Sequence, residues 1–402
     1  MDMMPWPVLR RPTKPEVVAL WCGLSAFLAA LITQWAAKRP AFHPSLLLNV
    51  SEASPMAEYI RAIDPGFHFV SSTEHYDGVY FYAMALDPFA MGQAHTLIDL
   101  AAYRYGHPLY SWVAAVMSAG QVSLLPWVFW LMSLGSMFAA GFFASRLVAR
   151  LGGSPWWGLA VAMSPGLLYS SSTALTEPAQ VALTCAVLLW LTRPRSNPAV
   201  LAIMVVALCL LKEQLVLVPV ALAIAEGVAV VGRRRLHPGR LLAFLAGPLA
   251  LGAWLYFVRN RFDAAAKTYD EGNIDLPLRG WFQIFDYAAA LRERDFFSSQ
   301  IGTTVVPGII AIAVVLTVAS VIAVRRRDAL SWVVLLQAAV VTCLGWRTLM
   351  YPHEMFRIPA VALVLAVLLI GVAATRPVKA LSPDTTDAQA LRPGTVSSGG
   401  TG

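Results

Sequence analysis

Charged residues are scarce in this chain. Only 13% of its 402 residues are Asp, Glu, Lys or Arg, whereas about a quarter is usual for a soluble domain. The four cysteines lie singly inside apolar stretches, without the spacing of a metal or redox motif. The net charge of +7 comes from short basic clusters between apolar stretches and not from one basic face. These features exclude an ordinary soluble fold and argue against a nucleic-acid partner.

Long apolar runs take the place of the missing charge. Hydrophobic residues make up 58% of the chain. Runs of roughly 17–25 apolar residues can cross about 30 Å of hydrocarbon as helices that satisfy their own backbone hydrogen bonds. The pattern predicts an all-α, polytopic membrane protein with about ten transmembrane helices. The predicted spans are 17–37, 122–145, 155–172, 176–192, 198–212, 214–231, 240–258, 303–324, 330–346 and 356–374.

The basic clusters between these runs predict the orientation, because cytoplasmic loops are enriched in Lys and Arg. Six clusters fall on the cytoplasmic side if the N-terminus does: Arg10/Arg11/Lys14, Arg146/Arg150, Arg193/Arg195, Arg233/Arg234/Arg235/Arg240, Arg325/Arg326/Arg327 and Arg376/Lys379. Lys38 and Arg39 are an exception at the start of a long loop, where the rule is weak. We expect a multi-pass protein of the plasma (inner) membrane with both termini in the cytoplasm. A transmembrane domain over 1–375 would precede a disordered cytoplasmic tail over 376–402.

Two segments, 38–121 and 259–302, are too polar to cross the membrane, and both fall outside in this topology. Each contains a stretch that predicts an amphipathic surface helix. HPLYSWVAAVMSAG is apolar but too short to span, which favours an interfacial or re-entrant helix. GWFQIFDYAAALRERDFF alternates apolar and polar groups at helical spacing, as a helix lying on the membrane would.

Ionisable residues stand at the outer ends of three predicted hairpins. They are Glu177 in STALTEP, Lys212 and Glu213 in LLKEQ, and His353, Glu354 and Arg357 in YPHEMFRIP. Such groups cost a few kcal/mol each near the apolar boundary unless they face a polar cavity or pair with one another. One interpretation is an outward-facing cavity lined by both charge signs. The other is that these residues cap helices and form stabilising ion pairs.

The segment EHYDGVYFYAMALDPF, in the first outer loop, combines acids with aromatic residues. Asp77 lies between Tyr76 and Gly78, and a second acid, Asp87, follows ten residues later. A carboxylate framed by aromatic residues suits a site at a membrane surface, and Gly78 would let a substrate approach the backbone. An Asp-Gly pair is also typical of a turn, and aromatic residues also anchor loops at the interface.

The order of these motifs resembles a known class of enzymes. One helix is followed by a large outer loop with HYDGVYFYAMALDPF and YRYGHPLYSWV, then by PWWGLAVAMSPGLLYSSSTALTEP and LLKEQ. This arrangement is similar to the GT-C class of polytopic glycosyltransferases, over residues 15 to about 375. The resemblance implies transfer of a sugar from a polyprenyl-phosphate-linked donor to a lipid or glycan acceptor on the extracytoplasmic face.

The resemblance also implies roles for individual residues. The first-loop acid of that class matches Asp77, which would be the general base, with Asp87 as a fallback. Arg357 would stabilise the leaving phosphate, supported by Lys212, His353 and Arg104. Tyr76, Glu177 and Glu213 complete the expected substrate-binding set, and membrane lipids are expected partners.

No cofactor is predicted, although the oxygen ligands of Asp77, Asp87 and Glu177 leave a divalent metal open. Two other functions also stay open. A transporter or lipid flippase would usually bind its substrate near the midplane, where this sequence has little charge. A non-catalytic scaffold would use the aromatic belts and outer loops to bind partners.

Overall fold

The chain is an all-helical membrane protein. The computed structural model describes residues 14–71, 76–193, 196–231, 237–262, 272–290 and 301–375, and within them it contains two isolated β-bridges but no strand. Five helical segments are long and apolar enough to cross a membrane. They are Pro15–Ala37, Val122–Arg150, Glu213–Val231, Pro238–Arg261 and Gly302–Arg326. The predicted tail over 376–402 lies outside the described residues.

The long segments are mostly α-helical. Their α-helical parts are α1 (Pro15–Ala37), α6 (Leu125–Arg150), α10 (Leu217–Val231), α11 (Pro238–Arg261) and α13 (Val306–Arg326). Tighter or wider turns precede three of them: Val122–Leu124 and Glu213–Val216 are 3₁₀ turns, and Ile301–Val305 is a π turn.

Four shorter apolar helices accompany them: α8 (Glu177–Leu191), α9 (Pro198–Leu211), α14 (Ala329–Thr342) and α17 (Ala360–Thr375). Local chemistry explains where several helices begin. Proline occupies the first turn of many of them, where a missing N–H costs nothing. Asn197 caps α9 through the backbone N–H of Ala199, and Asp328 caps α14 through that of Ser331.

The predicted helix over 155–172 is wrong as one continuous helix. Pro155–Ala160 is a 3₁₀ helix, and a separate helix, α7 (Pro165–Ser172), follows it. Pro165 lacks an N–H and keeps Ser164 extended, so the helix restarts there with the Ser164 hydroxyl as its cap. The broken segment runs along the whole of α17, because Gly153 lies against Thr375 and Gly166 against Ala360.

The remaining helices in the described part of the chain are short. They are α2 (Pro55–Ile63), α3 (Gly78–Leu86), α4 (Ala101–Arg104), α5 (Leu109–Met117), α12 (Arg279–Ala290), α15 (Trp346–Met350) and α16 (Pro352–Arg357), with 3₁₀ turns Pro44–Leu48 and Ala94–Leu97. The nine residues of α5 cover the stretch predicted to be interfacial and are too few to cross a bilayer. Helix α12 covers the second predicted surface helix as far as 290, and the rest of that stretch lies outside the described residues.

A buried polar junction joins the C-terminal part of α1, the N-terminal part of α6 and the end of α7. The Gln34 amide donates to Ser133 Oγ at 3.2 Å and to the Ser171 carbonyl at 2.9 Å, and Trp130 donates to Gln34 Oε1 at 3.0 Å. Gln34 is fully buried, so these bonds satisfy a group that would otherwise be costly. The junction holds the end of α7, which leads directly to Glu177.

Candidate functional site

Asp77 lies at the N-terminus of α3, and its backbone is held by close packing. A Cβ atom on Gly78 would lie 2.8 Å from the carbonyl oxygen of Thr173 and 2.9 Å from that of Leu48. The absence of a side chain at Gly78 therefore allows the backbone to pack against Leu48 and Thr173. The structure gives no support to the expectation that Gly78 lets a substrate approach the backbone. The Asp77 side chain does not cap its own helix, which leaves both carboxylate oxygens for other partners.

Two arginines, one 27 and the other 280 positions further along the chain, hold the Asp77 carboxylate. Arg357 Nη1 donates to Oδ2 at 2.7 Å, and Arg104 Nη1 donates to Oδ1 at 3.2 Å. The Asp77 side chain is 28% exposed, whereas those of Arg357 and Arg104 are 8% and 14% exposed. The carboxylate is thus the accessible member of a largely buried group of charges.

Arg357 is shared among three carboxylates. Besides Asp77, it pairs through Nη2 with Glu354 Oε2 at 3.0 Å, and its Nε lies 3.7 Å from Glu177 Oε1. The last distance is too long for a hydrogen bond, and Arg357 Nε has no hydrogen-bond partner among the described residues. Negative charge therefore exceeds positive charge around this guanidinium.

Glu354 connects the ion pairs to a group of aromatic side chains. The Tyr76 hydroxyl donates to Glu354 Oε1, and the Tyr76 ring lies 5.2 Å from the Arg357 guanidinium carbon. Tyr169 packs edge-on against Tyr76 with ring centroids 5.6 Å apart, and His353 lies 5.1 Å from Tyr169. These rings form one wall of the site.

Arg104 lies against aromatic rings on the other side of Asp77. Its guanidinium carbon is 3.8 Å from the centroid of the Tyr80 ring and 5.3 Å from that of Tyr103. Its Nη2 lies 3.7 Å from Asp99 Oδ1. Like Arg357, Arg104 has a buried Nε without a hydrogen-bond partner among the described residues.

Lys212 and Glu213 lie next to this group, at the junction of α9 and α10. Lys212 Nζ is 3.5 Å from Glu213 Oε1, and the other oxygen of Glu213 is 3.0 Å from His107 Nδ1. Tyr103 connects this part of the site to Arg104, because the Lys212 ammonium lies 5.7 Å from the Tyr103 ring. All three predicted hairpin ends therefore supply side chains to one site.

The ion pairs change the acidity of the carboxyl groups. Burial alone would raise the pKa of Asp77, but the guanidinium groups of Arg357 and Arg104 outweigh it and hold that pKa at about 2. Burial raises the pKa of Glu354 in spite of Arg357. Asp77 therefore stays ionised and is a weak base while both arginines hold it. Glu354 retains a proton more readily than Asp77.

Asp87 serves its own loop instead of this cluster. One of its oxygens accepts from the backbone N–H groups of Met91 and Gly92 at 2.7 and 2.9 Å, and the other lies 2.7 Å from His95 Nδ1. The Tyr105 hydroxyl donates to the Asp87 carbonyl at 2.6 Å. These bonds make Asp87 a structural residue, and they speak against its proposed place in a substrate site.

The site includes residues that were not among the predicted ones: Tyr80, Asp99, Tyr103, His107, Tyr169 and Glu354, the last of which was noted only as a helix-end charge. Tyr80 follows Tyr76 by one helical turn, which is a detectable signal. Asp99 and Tyr169 had no sequence signal that linked them to Asp77. Among the residues that the structure describes, no group of three or more His, Cys, Asp or Glu side chains is arranged to hold a metal ion.

Two cavities border the cluster. The larger, of about 590 Å³, is almost entirely apolar and lies between the broken segment, α13 and α17; Phe356, which precedes Arg357, is part of its wall. The smaller, of about 260 Å³, is lined by Tyr80 and Asp99, both of which contact Arg104. Asp77 accepts hydrogen bonds from both Arg357 and Arg104.

No protein-family model, curated protein or solved structure matches this chain.

Proposed function

We propose that this protein is a membrane glycosyltransferase of the GT-C type. It would move a sugar from a polyprenyl-phosphate donor to a hydroxyl of a lipid or glycan acceptor on the extracytoplasmic face. The observation that carries the proposal is the Asp77 carboxylate held between Arg104 and Arg357 at the ends of membrane helices, beside an apolar cavity. A lipid-linked anion and a hydroxyl acceptor need this combination of cations, carboxylate and apolar surface.

The apolar cavity suits the prenyl chain of such a donor. Its walls include Trp157, Ile312 and Leu363, and its volume of about 590 Å³ falls within the range of small-molecule sites. A chain lying against Phe356 would bring its phosphate to the neighbouring Arg357. The donor would thus enter from the membrane with its charged group at the ion cluster.

The donor phosphate would compete with Asp77 for the arginines. Each guanidinium retains a buried Nε–H without a hydrogen-bond partner among the described residues, and such a donor gains by meeting a phosphate oxygen. Asp77 is the most exposed carboxylate on Arg357 and would be the one that the phosphate displaces. Once it shares its arginines with a phosphate, its pKa rises and it becomes an effective base.

The proposed chemistry is a displacement at the anomeric carbon. The acceptor oxygen forms a bond to that carbon as the bond from carbon to the phosphate oxygen breaks, and the bonding electron pair leaves with the phosphate. Asp77 takes the acceptor's proton, which typically contributes about 10²–10⁴-fold in rate. Arg357 and Arg104, with Lys212 and His353 nearby, stabilise the charge that develops on the leaving phosphate.

The proposed topology has ten crossings with both termini in the cytoplasm of a plasma (inner) membrane. The five long helices, the four shorter ones and the broken segment that runs along α17 supply them. Arg146 pairs with Glu16 at 3.2 Å, which is consistent with a shared cytoplasmic level for the start of α1 and the end of α6. In this orientation Asp77, Lys212 and Arg357 are external.

Purified protein in lipid nanodiscs tests the proposal. It would be incubated with a panel of short-chain prenyl-phosphoryl sugars carrying a radiolabel, with and without hydroxyl acceptors. Release of prenyl phosphate together with a labelled glycoside, absent in Asp77→Asn protein, is the expected result. Movement of intact donor between leaflets of proteoliposomes without cleavage would favour a flippase, and neither cleavage nor movement would favour a scaffold.

A further inference from the structure

The smaller cavity adjoins Arg104, the second arginine that holds Asp77. Its lining consists of Ala53, Ser54, Pro55, Met56, Val79, Tyr80, Leu97, Ile98 and Asp99, and its volume is about 260 Å³. Val79 and Tyr80 belong to the first turn of α3, directly after Asp77. Asp99 and Asp77 occupy the two terminal nitrogens of the same Arg104 guanidinium, so the cavity adjoins the proposed base through one side chain.

The size and lining of the cavity define what it can hold. Drug-sized ligands need roughly 300–1,000 Å³, so about 260 Å³ accommodates one small ring and not an extended chain. Asp99 and Tyr80, whose side chains hydrogen-bond to each other, contribute a carboxylate and a phenol to the lining, while Met56, Leu97 and Ile98 contribute apolar surface. Hydroxyl groups on a ring with apolar faces match both kinds of lining.

The charge of the lining further limits the class of ligand that the cavity can bind. Asp99 is the only ionisable carboxyl group in the lining as described, and no cation lines the cavity with it. Arg104 lies behind Tyr80, with its charge already shared between Asp77 and Asp99. A phosphate or carboxylate would therefore be repelled by Asp99, whereas neutral hydroxyl groups can donate to it.

We propose that this cavity is the acceptor pocket, and that it binds an uncharged, hydroxyl-rich ring such as a single sugar residue at the end of the acceptor. The inference rests on the proposed function and adds the class of acceptor. The donor lipid would approach Asp77 from the Arg357 side and the acceptor hydroxyl from the Arg104 side. In this two-sided approach the acceptor hydroxyl meets the Asp77 carboxylate, and the anomeric carbon of the donor lies between that hydroxyl and the leaving phosphate.

Kinetics with two substrates provide the first test. Ala53 is exposed at the cavity wall, so Ala53→Trp fills the pocket without entering the core; Ala41→Trp changes an equally exposed alanine that does not line it. With methyl glycosides as acceptors, Ala53→Trp and Asp99→Asn should each raise the acceptor KM by roughly tenfold or more and leave the donor KM within about twofold. A change confined to the donor KM, or wild-type values for both substrates, would overturn the acceptor pocket.

A labelling experiment tests the pocket without relying on turnover. In a Cys343→Ser background, Ala53→Cys protein would be treated with a water-soluble maleimide, with Ala41→Cys as the matched control. Millimolar methyl glycosides should slow modification at position 53 and not at position 41, while inorganic phosphate and farnesyl phosphate should protect neither. Absence of glycoside protection, or protection by the phosphates, would refute the pocket; protection in a protein that cleaves no donor would refute the proposed function alone.

Discussion

Arg357 Nη1 lies 2.7 Å from Asp77 Oδ2, although 280 positions separate the two residues in the chain. Asp77 directly precedes α3, and Arg357 is the last residue of α16, the short helix before the last described one. Their contact requires that both segments lie at the same end of the helix bundle. It also means that the acid predicted as the base and the cation predicted to meet the phosphate already form one unit.

Replacing Asp77 should remove transfer while leaving the protein folded. Asp77→Asn keeps an oxygen that can accept from one arginine, and Glu354 and Glu177 still balance Arg357. We expect a loss of about 10²–10⁴-fold in sugar transfer with wild-type abundance in the membrane. Glu58→Gln, which neutralises an exposed acid of the same loop, is the control and should transfer normally. Transfer by Asp77→Asn protein at the wild-type rate would remove this carboxylate from the chemistry.

Removing the Arg357 charge should affect folding as well as activity. Arg357 is 7% exposed and serves three carboxylates, so Arg357→Met leaves buried negative charge unbalanced. Breaking a buried ion pair in this way costs about 3–5 kcal/mol. Thermal unfolding in detergent should show a large loss of stability.

Neutralising one of the carboxylates provides the control for that loss. The double variant Arg357→Met/Glu354→Gln should recover part of the stability and none of the transfer activity. If the double variant were no more stable than Arg357→Met alone, excess negative charge would not be the cause of the loss.

Asp87 should matter for stability and not for catalysis. Asp87→Ala leaves the N–H groups of Met91 and Gly92 without their acceptor, at a cost of about 1–3 kcal/mol. His95 and these two N–H groups lower the pKa of Asp87 in spite of burial, so its contribution is full at neutral pH and fades as the pH falls through that lowered pKa. The difference in thermal unfolding between variant and wild type should stay nearly constant from pH 7 down to about pH 4, close to the unfolded-state pKa of Asp, and should shrink below that pH. If Asp87→Ala protein instead transferred less sugar per folded molecule, Asp87 would belong to the functional site.

The pH dependence of the reaction should differ between the free and the donor-bound protein. The profile of kcat/KM reports groups of the free protein, in which the pKa of Asp77 is about 2, so Asp77 produces no acidic decline in the accessible range. The profile of kcat reports the complex, in which a phosphate near the arginines raises that pKa. The acidic limb of kcat should therefore lie at the higher pH. The measurement is best made on Glu354→Gln protein, which lacks the neighbouring titrating acid; coincident limbs would argue against displacement of Asp77 by the donor.

Labelling in intact cells should establish the orientation. Gln93→Cys, in the first outer segment, should react with a membrane-impermeant maleimide, whereas Ala199→Cys, at the start of α9, should react only after permeabilisation. Both positions are exposed. The reverse pattern would place the whole ion cluster on the cytoplasmic face and remove the proposed reaction from the outer leaflet.

Local sequence patterns predicted much of the helical architecture. Apolar runs located the long helices, since a span must be continuous and uncharged to cross hydrocarbon. The apolar run over 155–172 wrongly predicted one continuous helix. Hydropathy alone does not show that Pro165 and the extended Ser164 interrupt it. Hydropathy also gave no warning that Gly78 packs against the backbone of Leu48 and Thr173.

For the site, the sequence indicated which ionisable residues lie at helix ends but not which of them pair. Glu177, Lys212 and Arg357 stood out because charge at an apolar boundary is costly and therefore rare. Asp87 stood out for its position in the same motif as Asp77, yet it bonds to its own loop. The difference depends on which N–H groups and cations lie within 3 Å or so of each carboxylate, and spacing along the chain does not encode that distance.

The sequence by itself determined that this chain is helical and embedded in a membrane, because solvation of the backbone and of apolar side chains depends on local composition. Only the tertiary structure decided that Asp77 lies between Arg104 and Arg357, and that an apolar cavity and a smaller mixed one lie near these arginines. Arg104 follows Asp77 by 27 positions and Arg357 by 280, and their contacts with Asp77 arise from helix packing that no local pattern specifies.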